Sequence, residues 1–270
     1  MKIISKCSKL KKELTRIQNL GFVPTMGSLH KGHEYLIKRS KKKCKKTIVS
    51  IFINPTQFNN PSDFRSYPKN INQDLKILKK MKVDFVFIPK TKDIYTFKRK
   101  KKIKINKNDL ILCAKKRKGH FEGVIDIMDR LTNLINPKII FMGEKDFQQY
   151  FLVKKFIESK YSSKIAKCKT IRDNKYIALS SRNLLLGKKS LNTVASIIKE
   201  LKNFKKMIKK QNVSKSFLQI KKKYLIKKYN IKIDYLELRN ENNLKISRVV
   251  NKSRLFFAFF INKIRLIDNL

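Results

Sequence analysis

Phe22-Val23-Pro24-Thr25-Met26-Gly27-Ser28-Leu29-His30-Lys31-Gly32-His33 is the stretch on which the fold turns. Phe22-Val23-Pro24 reads as the end of a first strand. A glycine turn follows, and from His33 the run Glu34-Tyr35-Leu36-Ile37 reads as a helix. A strand that feeds a helix through a short turn is the opening unit of an α/β fold. The start of that helix carries unpaired backbone N–H groups and the positive end of the helix dipole, so it favours an anion. Gly27 and Gly32 let backbone approach a phosphate closely. His30 and His33 can donate hydrogen bonds to phosphate oxygens as charge shifts during a reaction. Paired histidines at a helix start are also an ordinary surface feature. Here, however, two of the chain's 3 histidines fall in one glycine-rich turn.

Outward from this stretch, short apolar runs alternate with amphipathic ones, the signature of an α/β fold with a mostly parallel sheet. Thr47 to Ile53 is a β-branched run expected as a buried central strand. Ile71 to Met81 has Leu75, Leu78 and Met81 at helical spacing, and Asp84 to Ile88 is a further strand. Val124 to Ile135 places Ile127, Leu131, Leu134 and Ile135 on one helical face. Ile139 to Met142 is a strand, and Asp146 is expected to cap a helix running through Phe151 and Phe156. The character changes after Asn183. Helical patterns cover Leu191 to Lys210 and Ser216 to Tyr229, and strands are expected at Ile233 to Leu238 and Arg254 to Ile261. The expected architecture is an α/β domain with a mostly parallel sheet over residues 1–175. A smaller α+β domain follows over residues 176–270.

Composition narrows the function classes. A chain of 270 residues, 41% hydrophobic and 10% aromatic, buries a sizeable core without staples. Lys+Arg number 67 against 19 Asp+Glu, formally +48. Such charge invites a nucleic-acid reading. A binding footprint would cluster, whereas lysine here is spread along the chain in short runs (Lys41 to Lys43, Lys98 to Lys102, Lys115-Lys116, Lys221 to Lys223). It keeps company with Ile and Asn, and all three share A/T-rich codons. Compositional bias therefore accounts for the charge, and no specific nucleic-acid partner is expected. The four cysteines (Cys7, Cys44, Cys113, Cys168) lack metal-site or disulfide spacing. His30, His33 and His120 show no further ligands for zinc. No stretch has signal-peptide character, and the apolar run Leu255 to Ile261 is too short to span a bilayer. The expected location is the cytoplasm.

Three further segments carry functional residue types. Gly143-Glu144-Lys145-Asp146 lies at the carboxyl end of a strand, where open parallel sheets bind ligands; Lys145 would set a point charge on a phosphate. Leu179-Ser180-Ser181-Arg182 offers two hydroxyls and a guanidinium to phosphate oxygens, or else an ordinary helix cap. Gln57, in Asn54-Pro55-Thr56-Gln57-Phe58, has donors and an acceptor for a small polar acid.

Together these motifs resemble the pantothenate synthetase (pantoate–β-alanine ligase) family. The resemblance runs from Pro24-Thr25-Met26-Gly27 and His30-x-Gly-His33, through Ser50 to Phe58, Gly119-His120-Phe121, Gly143 to Gln149 and Leu179 to Asn183, to the terminal Arg265-Leu266-Ile267-Asp268-Asn269. The His-x-Gly-His element alone is shared with a wider nucleotidyl-transfer superfamily. The resemblance implies a Rossmann-like ATP- and pantoate-binding domain over residues 1–175, a smaller lid-like domain over residues 176–270, an ATP- and Mg²⁺-dependent, AMP-forming ligase and a homodimer. It implies ATP contacts at Met26, Gly27, Ser28, Leu29, His30, Lys31, Gly32 and His33, at Gly143, Glu144, Lys145 and Asp146, at the Ile171 backbone, and at Leu179, Ser180, Ser181 and Arg182. It implies pantoate and β-alanine at Gln57, pantoate at Gln149, and His33 as proton donor.

The chain departs from the family pattern at Leu112-Cys113-Ala114 and Arg117-Lys118-Gly119, at Glu122, and at Lys175-Tyr176, where the family has Asp-Gly. Tyr lacks the freedom of Gly at positive φ, so this last turn is expected to be rebuilt. The alternatives are a nucleotidyltransferase of the wider superfamily, a basic nucleic-acid-binding module, and an inactive relative.

Overall fold

The computed structural model describes residues 1–96, 103–210 and 212–270. The lysine run at 98–102 lies outside them. The chain divides into two compact units, Met1–Thr170 and Ile171–Leu270; the sequence reading sets its boundary at 175/176.

The first unit is built on six parallel strands, β1 (Lys2–Ile4), β2 (Leu20–Thr25), β3 (Lys46–Ile51), β4 (Phe85–Phe87), β5 (Ile139–Gly143) and β6 (Lys164–Cys168). Their order is β1-β4-β3-β2-β5-β6. Both faces of the sheet are buried. Val23, Val49, Val86 and Phe141 pack with Leu36 and Ile37 of the Lys31–Lys43 helix and Leu78 of the Ile71–Lys80 helix. The alternate residues Phe22, Ile48, Phe87 and Ile140 are fully buried as well. This explains why the strands read as continuous apolar runs rather than as an alternation.

From β2 the chain steps through β3 to β4 on one side. It then returns to place β5 on the other side of β2. Strand order therefore reverses between β2 and β5, and open sheets bind ligands outside the carboxyl ends of strands at such a reversal. Gly21 pairs with Ile139, and Thr25 pairs with Ile51. The carboxyl ends of β2, β3 and β5 thus gather at one edge.

The second unit has an antiparallel sheet, β7 (Lys232–Asn240), β8 (Ser253–Ile261) and β9 (Ile264–Asn269). The helices Lys188–Met207 and Lys215–Tyr229 contribute Val194, Ile197, Leu201 and Leu225 to a core with Leu238, Leu255 and Phe257.

Two local expectations are corrected. Asp146 stands at the cap position of the Phe147–Lys160 helix, but its side chain makes no cap bond; it lies 3.6 Å from Lys145 Nζ instead. Tyr176 adopts φ 67°, so the turn keeps a left-handed residue with a tyrosine in place of glycine.

Gly123, in the His120–Ile135 helix, lets that helix meet the Pro55–Gln57 turn: a Cβ there would overlap the Thr56 carbonyl. Gly123→Ala is expected to lower the free energy of unfolding by roughly 1–3 kcal/mol through overpacking. Urea denaturation checks this, and an unchanged midpoint would show that the approach is not tight.

Candidate active site

The Met26–His33 segment leaves the carboxyl end of β2 through a turn with two left-handed residues, Gly27 at φ 79° and Ser28 at φ 52°. Gly27 N donates to Thr25 Oγ1 at 3.2 Å, and Thr25 Oγ1 donates to Ser50 O at 2.6 Å, so the turn is tied to β3. Asp74, from the Ile71–Lys80 helix, receives Ser28 N at 2.8 Å and Leu29 N at 2.7 Å, one on each carboxylate oxygen. Its side chain is buried. Burial pushes the Asp74 carboxyl above its ordinary value, and the two N–H bonds oppose that shift. Gly27 is required twice here. Its φ is positive, and a Cβ would lie 3.0 Å from Asp74 Oδ2.

His30 caps the Lys31–Lys43 helix. Its Nδ1 accepts from Gly32 N at 3.1 Å, and His33 Nδ1 accepts from His30 N at 3.3 Å. A ring whose Nδ1 accepts a hydrogen bond in the neutral state carries its proton on Nε2. Both rings thus keep Nε2–H free of the capping bonds. They lie 4.1 Å apart between centroids. Burial, then the charge of Lys145, lowers His30 to about 4. Burial, then His30 and Lys145, lowers His33 to about 3. His33 keeps part of its surface open. Both imidazoles are neutral donors near pH 7.

Lys145, in the Glu144–Asp146 turn after β5, is close enough to depress both histidines. Glu144 accepts from Thr170 N at 3.4 Å, which holds the same turn to the chain after β6. Across the sheet edge, Gln57 is buried after β3 and its Nε2 reaches Met26 Sδ. The structure thus brings Met26–His33, Gln57 and Lys145 together at the reversal between β2 and β5.

Gln57 is held by residues to which the sequence reading gave no such role. His120 Nδ1 donates to Gln57 O at 2.7 Å, while Arg117 reaches His120 Nε2 at 2.8 Å and Gln57 O at 3.3 Å. The third histidine is therefore a clamp on the Gln57 backbone. Asn54 Nδ2 donates to Gly123 O at 3.1 Å, and Asn54 Oδ1 accepts from Tyr95 Oη at 2.8 Å. The two glutamines after Lys145 separate cleanly. Gln148 is buried and bonded to Cys113 N, Ile111 O and Asp109 O. Gln149 is half-buried, and its side chain makes no hydrogen bond to another described residue. Glu122 occupies the first turn of the His120–Ile135 helix, where a carboxylate complements the helix dipole.

Ile171 and Leu179–Arg182 belong to the second unit and sit on one hairpin there. Leu179 N donates to Ile171 O at 3.0 Å, and Arg172 bridges Ala178. Ser180 caps the Ser181–Leu185 3-10 turn by accepting from Arg182 N at 3.4 Å, and Ser181 is buried. The roles of Asp74, Arg117 and Arg172 went unread because each acts on backbone far away in sequence. The capping of Ser28 and Leu29 by a residue 45 positions on leaves no local spacing to read.

Comparison with known proteins shows the family. The family described as Pantoate-beta-alanine ligase matches residues 2–270. The pantothenate synthetase of Leptospira biflexa serovar Patoc is 42% identical over 260 residues, 93% of this chain and 90% of that protein. That of Wigglesworthia glossinidia brevipalpis is 39% identical over 284 residues, 100% of this chain and 99% of that protein. The crystal structure of the Thermus thermophilus pantothenate synthetase superposes with a TM-score of 0.92 at 28% identity, covering 100% of this chain and 99% of that one. The Francisella tularensis pantoate-beta-alanine ligase, solved with beta-gamma ATP and beta-alanine, gives 0.84 at 34% identity over 100% and 97%. With a match running almost from end to end and a parallel sheet whose reversal gathers its glycine turn, histidines, lysine and glutamine, the chain belongs to the pantoate–β-alanine ligase family.

Proposed function

We propose that the protein joins (R)-pantoate to β-alanine in two ATP-driven steps. The observation that carries this reading is the meeting of Met26–His33, Lys145 and Gln57 at the strand reversal. The Francisella relative, crystallised with a nucleotide and beta-alanine, supports it. In the first step a pantoate carboxylate oxygen attacks the α-phosphorus of ATP. The bond to the β-phosphate oxygen breaks, and pyrophosphate leaves. In the second step the β-alanine amine attacks the acyl carbon of the pantoyl adenylate; AMP departs, and the amine gives up a proton.

A carboxylate is ionised near neutral pH, so the first step needs no strong base. Its difficulty is bringing an anion to a polyanion. Met26–His33, Gly143–Asp146, the Ile171 backbone and Leu179–Arg182 are read as the ATP contacts. Lys145 and Arg182 offset phosphate charge. His30 and His33 present Nε2–H donors that need no reorganisation when charge develops on a phosphate oxygen. A bound triphosphate raises the pKa of both rings, since an adjacent anion favours the imidazolium. His33 is read as the proton donor: with the triphosphate bound, the ring takes a proton from solvent at Nδ1, releasing the His30 N–H, and passes its Nε2 proton to the departing pyrophosphate, so that it ends neutral. Gln57 orients pantoate and β-alanine, and Gln149, with its amide uncommitted, orients pantoate.

Among the described residues no group of three or more His, Cys, Asp or Glu side chains could hold a metal ion. Mg²⁺ would therefore enter with the triphosphate, whose charge it would neutralise. Residues 1–175 are read as the ATP- and pantoate-binding domain, and 176–270 as a lid that excludes water from a hydrolysable adenylate. The assembly is read as a homodimer in the cytoplasm. No described helix is long and apolar enough to cross a membrane.

Purified protein with ATP, Mg²⁺ and pantoate is expected to release pyrophosphate, and to yield pantothenate and AMP once β-alanine is added. Failure with pantoate alongside success with unrelated acids, or a product that keeps the nucleotide, would overturn the reading.

The histidine pKa values give a second test. The unfolded chain takes up protons below about pH 6.5, whereas His30 and His33 resist protonation until about 4 and 3. Stability is therefore expected to fall as pH drops from 6.5 toward 4. In nitrogen-15 spectra of the ligand-free protein both rings should stay in the Nε2–H form from pH 8 to 5. An imidazolium signal from either ring near pH 6.5 would contradict the capping geometry.

Asp74→Asn leaves one carbonyl oxygen where two N–H groups need acceptors. A lost hydrogen bond to a charged group costs about 1.5–3 kcal/mol, so kcat/KM for ATP should drop about ten- to hundredfold. Pyrophosphate release measures this, and wild-type kinetics would remove Asp74 from the site.

A further inference from the structure

We propose that Arg172 and Asp268 form a positioning pair that sets the hairpin carrying Leu179–Arg182 for nucleotide binding; the proposal rests on the reading of that segment as an ATP contact. The pair is bidentate and nearly enclosed. Arg172 Nη1 lies 2.6 Å from Asp268 Oδ2, and Nη2 lies 3.0 Å from Asp268 Oδ1. The exposures of the two side chains are 13% and 4%. The same guanidinium donates to Asn269 O at 3.2 Å and to Tyr176 O at 3.1 Å, and it sits over the Tyr176 ring at 4.7 Å. One side chain therefore ties the end of β9 to the tip of the hairpin.

What it holds is a turn that tyrosine does not favour. Tyr176 has φ 67°, a conformation that costs a non-glycine residue energy unless its surroundings impose it. Asp173 organises the inner side of the turn. Its carboxylate accepts from Lys175 N at 3.0 Å and Ile177 N at 2.8 Å. Arg172 organises the outer side through the Tyr176 carbonyl. The strands of the hairpin then deliver the nucleotide segment, because Leu179 N bonds Ile171 O and Asn183 Nδ2 bonds Ala178 O at 3.1 Å. Removing the charge on Asp268 frees the guanidinium, loosens the Tyr176 turn and misplaces Ser180, Ser181 and Arg182. These residues are read as contacts to ATP and not to pantoate, so the effect should fall on ATP binding and spare pantoate binding.

The test uses the full-length protein, calorimetric titration with MgATP, and steady-state pyrophosphate release. Asp268→Asn should raise both the ATP Kd and the KM for ATP about tenfold, as expected for loss of a charge-assisted bidentate contact. The KM for pantoate should stay within about twofold of wild type. Arg172→Lys, which supplies a point charge without the fork, should move in the same direction. Adding Tyr176→Gly to Asp268→Asn should restore most of the ATP affinity, since glycine holds a positive φ unaided. Wild-type ATP affinity in a folded Asp268→Asn, or in Arg172→Lys should Asp268→Asn not fold, overturns the proposal. So does a parallel loss of pantoate binding, or the absence of rescue by Tyr176→Gly. Failure of the wild-type protein to release pyrophosphate would instead overturn the functional reading.

Discussion

The reciprocal capping of His30 and His33 governs what the first unit can do. A helix start leaves backbone N–H groups in need of acceptors, and two imidazole nitrogens meet that need here. Meeting it determines which nitrogen is left to act. With Nδ1 of each ring committed to backbone, Nε2–H is what each ring presents to a ligand. Burial and the nearby Lys145 then keep the rings uncharged. The same local structure therefore ends a loop, starts a helix and fixes two donors. The Asp74 carboxylate performs the matching task one turn earlier. It takes the N–H groups of Ser28 and Leu29, which would otherwise compete for a ligand oxygen.

An excess of 48 positive charges makes the placement of the 19 acidic residues informative. Asp109 meets Lys155 at 3.0 Å, Asp129 meets Lys160 at 2.8 Å, and Asp234 meets Arg265 at 2.7 Å. Glu200 is the clearest case. Partial burial works against its ionised form, but hydrogen bonds from Lys228, Lys221 and Tyr229 prevail and hold it at about 2. Each of these acids joins two elements. Exposed pairs of this kind contribute little individually. Buried or shared ones fix geometry where self-repulsion would otherwise loosen it. Against that background Asp74 and Asp268 stand apart: Asp74 orders a loop through backbone N–H groups alone, and Asp268 orders one through Arg172.

The long periodic elements were legible in sequence: the Ile71–Lys80, His120–Ile135 and Lys215–Tyr229 helices and the apolar strands β2, β3, β5 and β8. What escaped was short or half-polar. Lys2–Ile4 is three residues long, and Lys164–Cys168 interleaves lysine with apolar residues on an edge strand. Neither has enough periods to be distinguished from a loop. The same division holds at the site. His30, His33, Lys145 and Gln57 were readable because phosphate and carboxylate chemistry calls for those side chains in glycine turns at strand ends. The roles of His120, Arg117, Asp74 and Arg172 were not readable, because each reaches a main-chain group tens of residues away. The unequal use of Gln148 and Gln149 illustrates this. Adjacent and chemically identical, they are separated only by the backbone that one of them meets.

Tyr176 shows how a strongly basic chain tolerates a residue that its backbone disfavours. A left-handed non-glycine residue costs on the order of 1–3 kcal/mol. Opposing that cost, Arg172 lies over one part of the ring at 4.7 Å, and Lys202 Nζ approaches it at 3.7 Å. Each cation over an aromatic face contributes about 0.5–2 kcal/mol, depending on exposure. The hydrogen bond from Arg172 to the Tyr176 carbonyl adds to both. These contributions are of the same size as the strain, so the turn closes without glycine. A glycine would close it without the cations, but it would leave Arg172 with no aromatic face to rest on. The abundance of lysine that reads as bias along the chain thus supplies, at this turn, a contact that tyrosine needs and glycine would not.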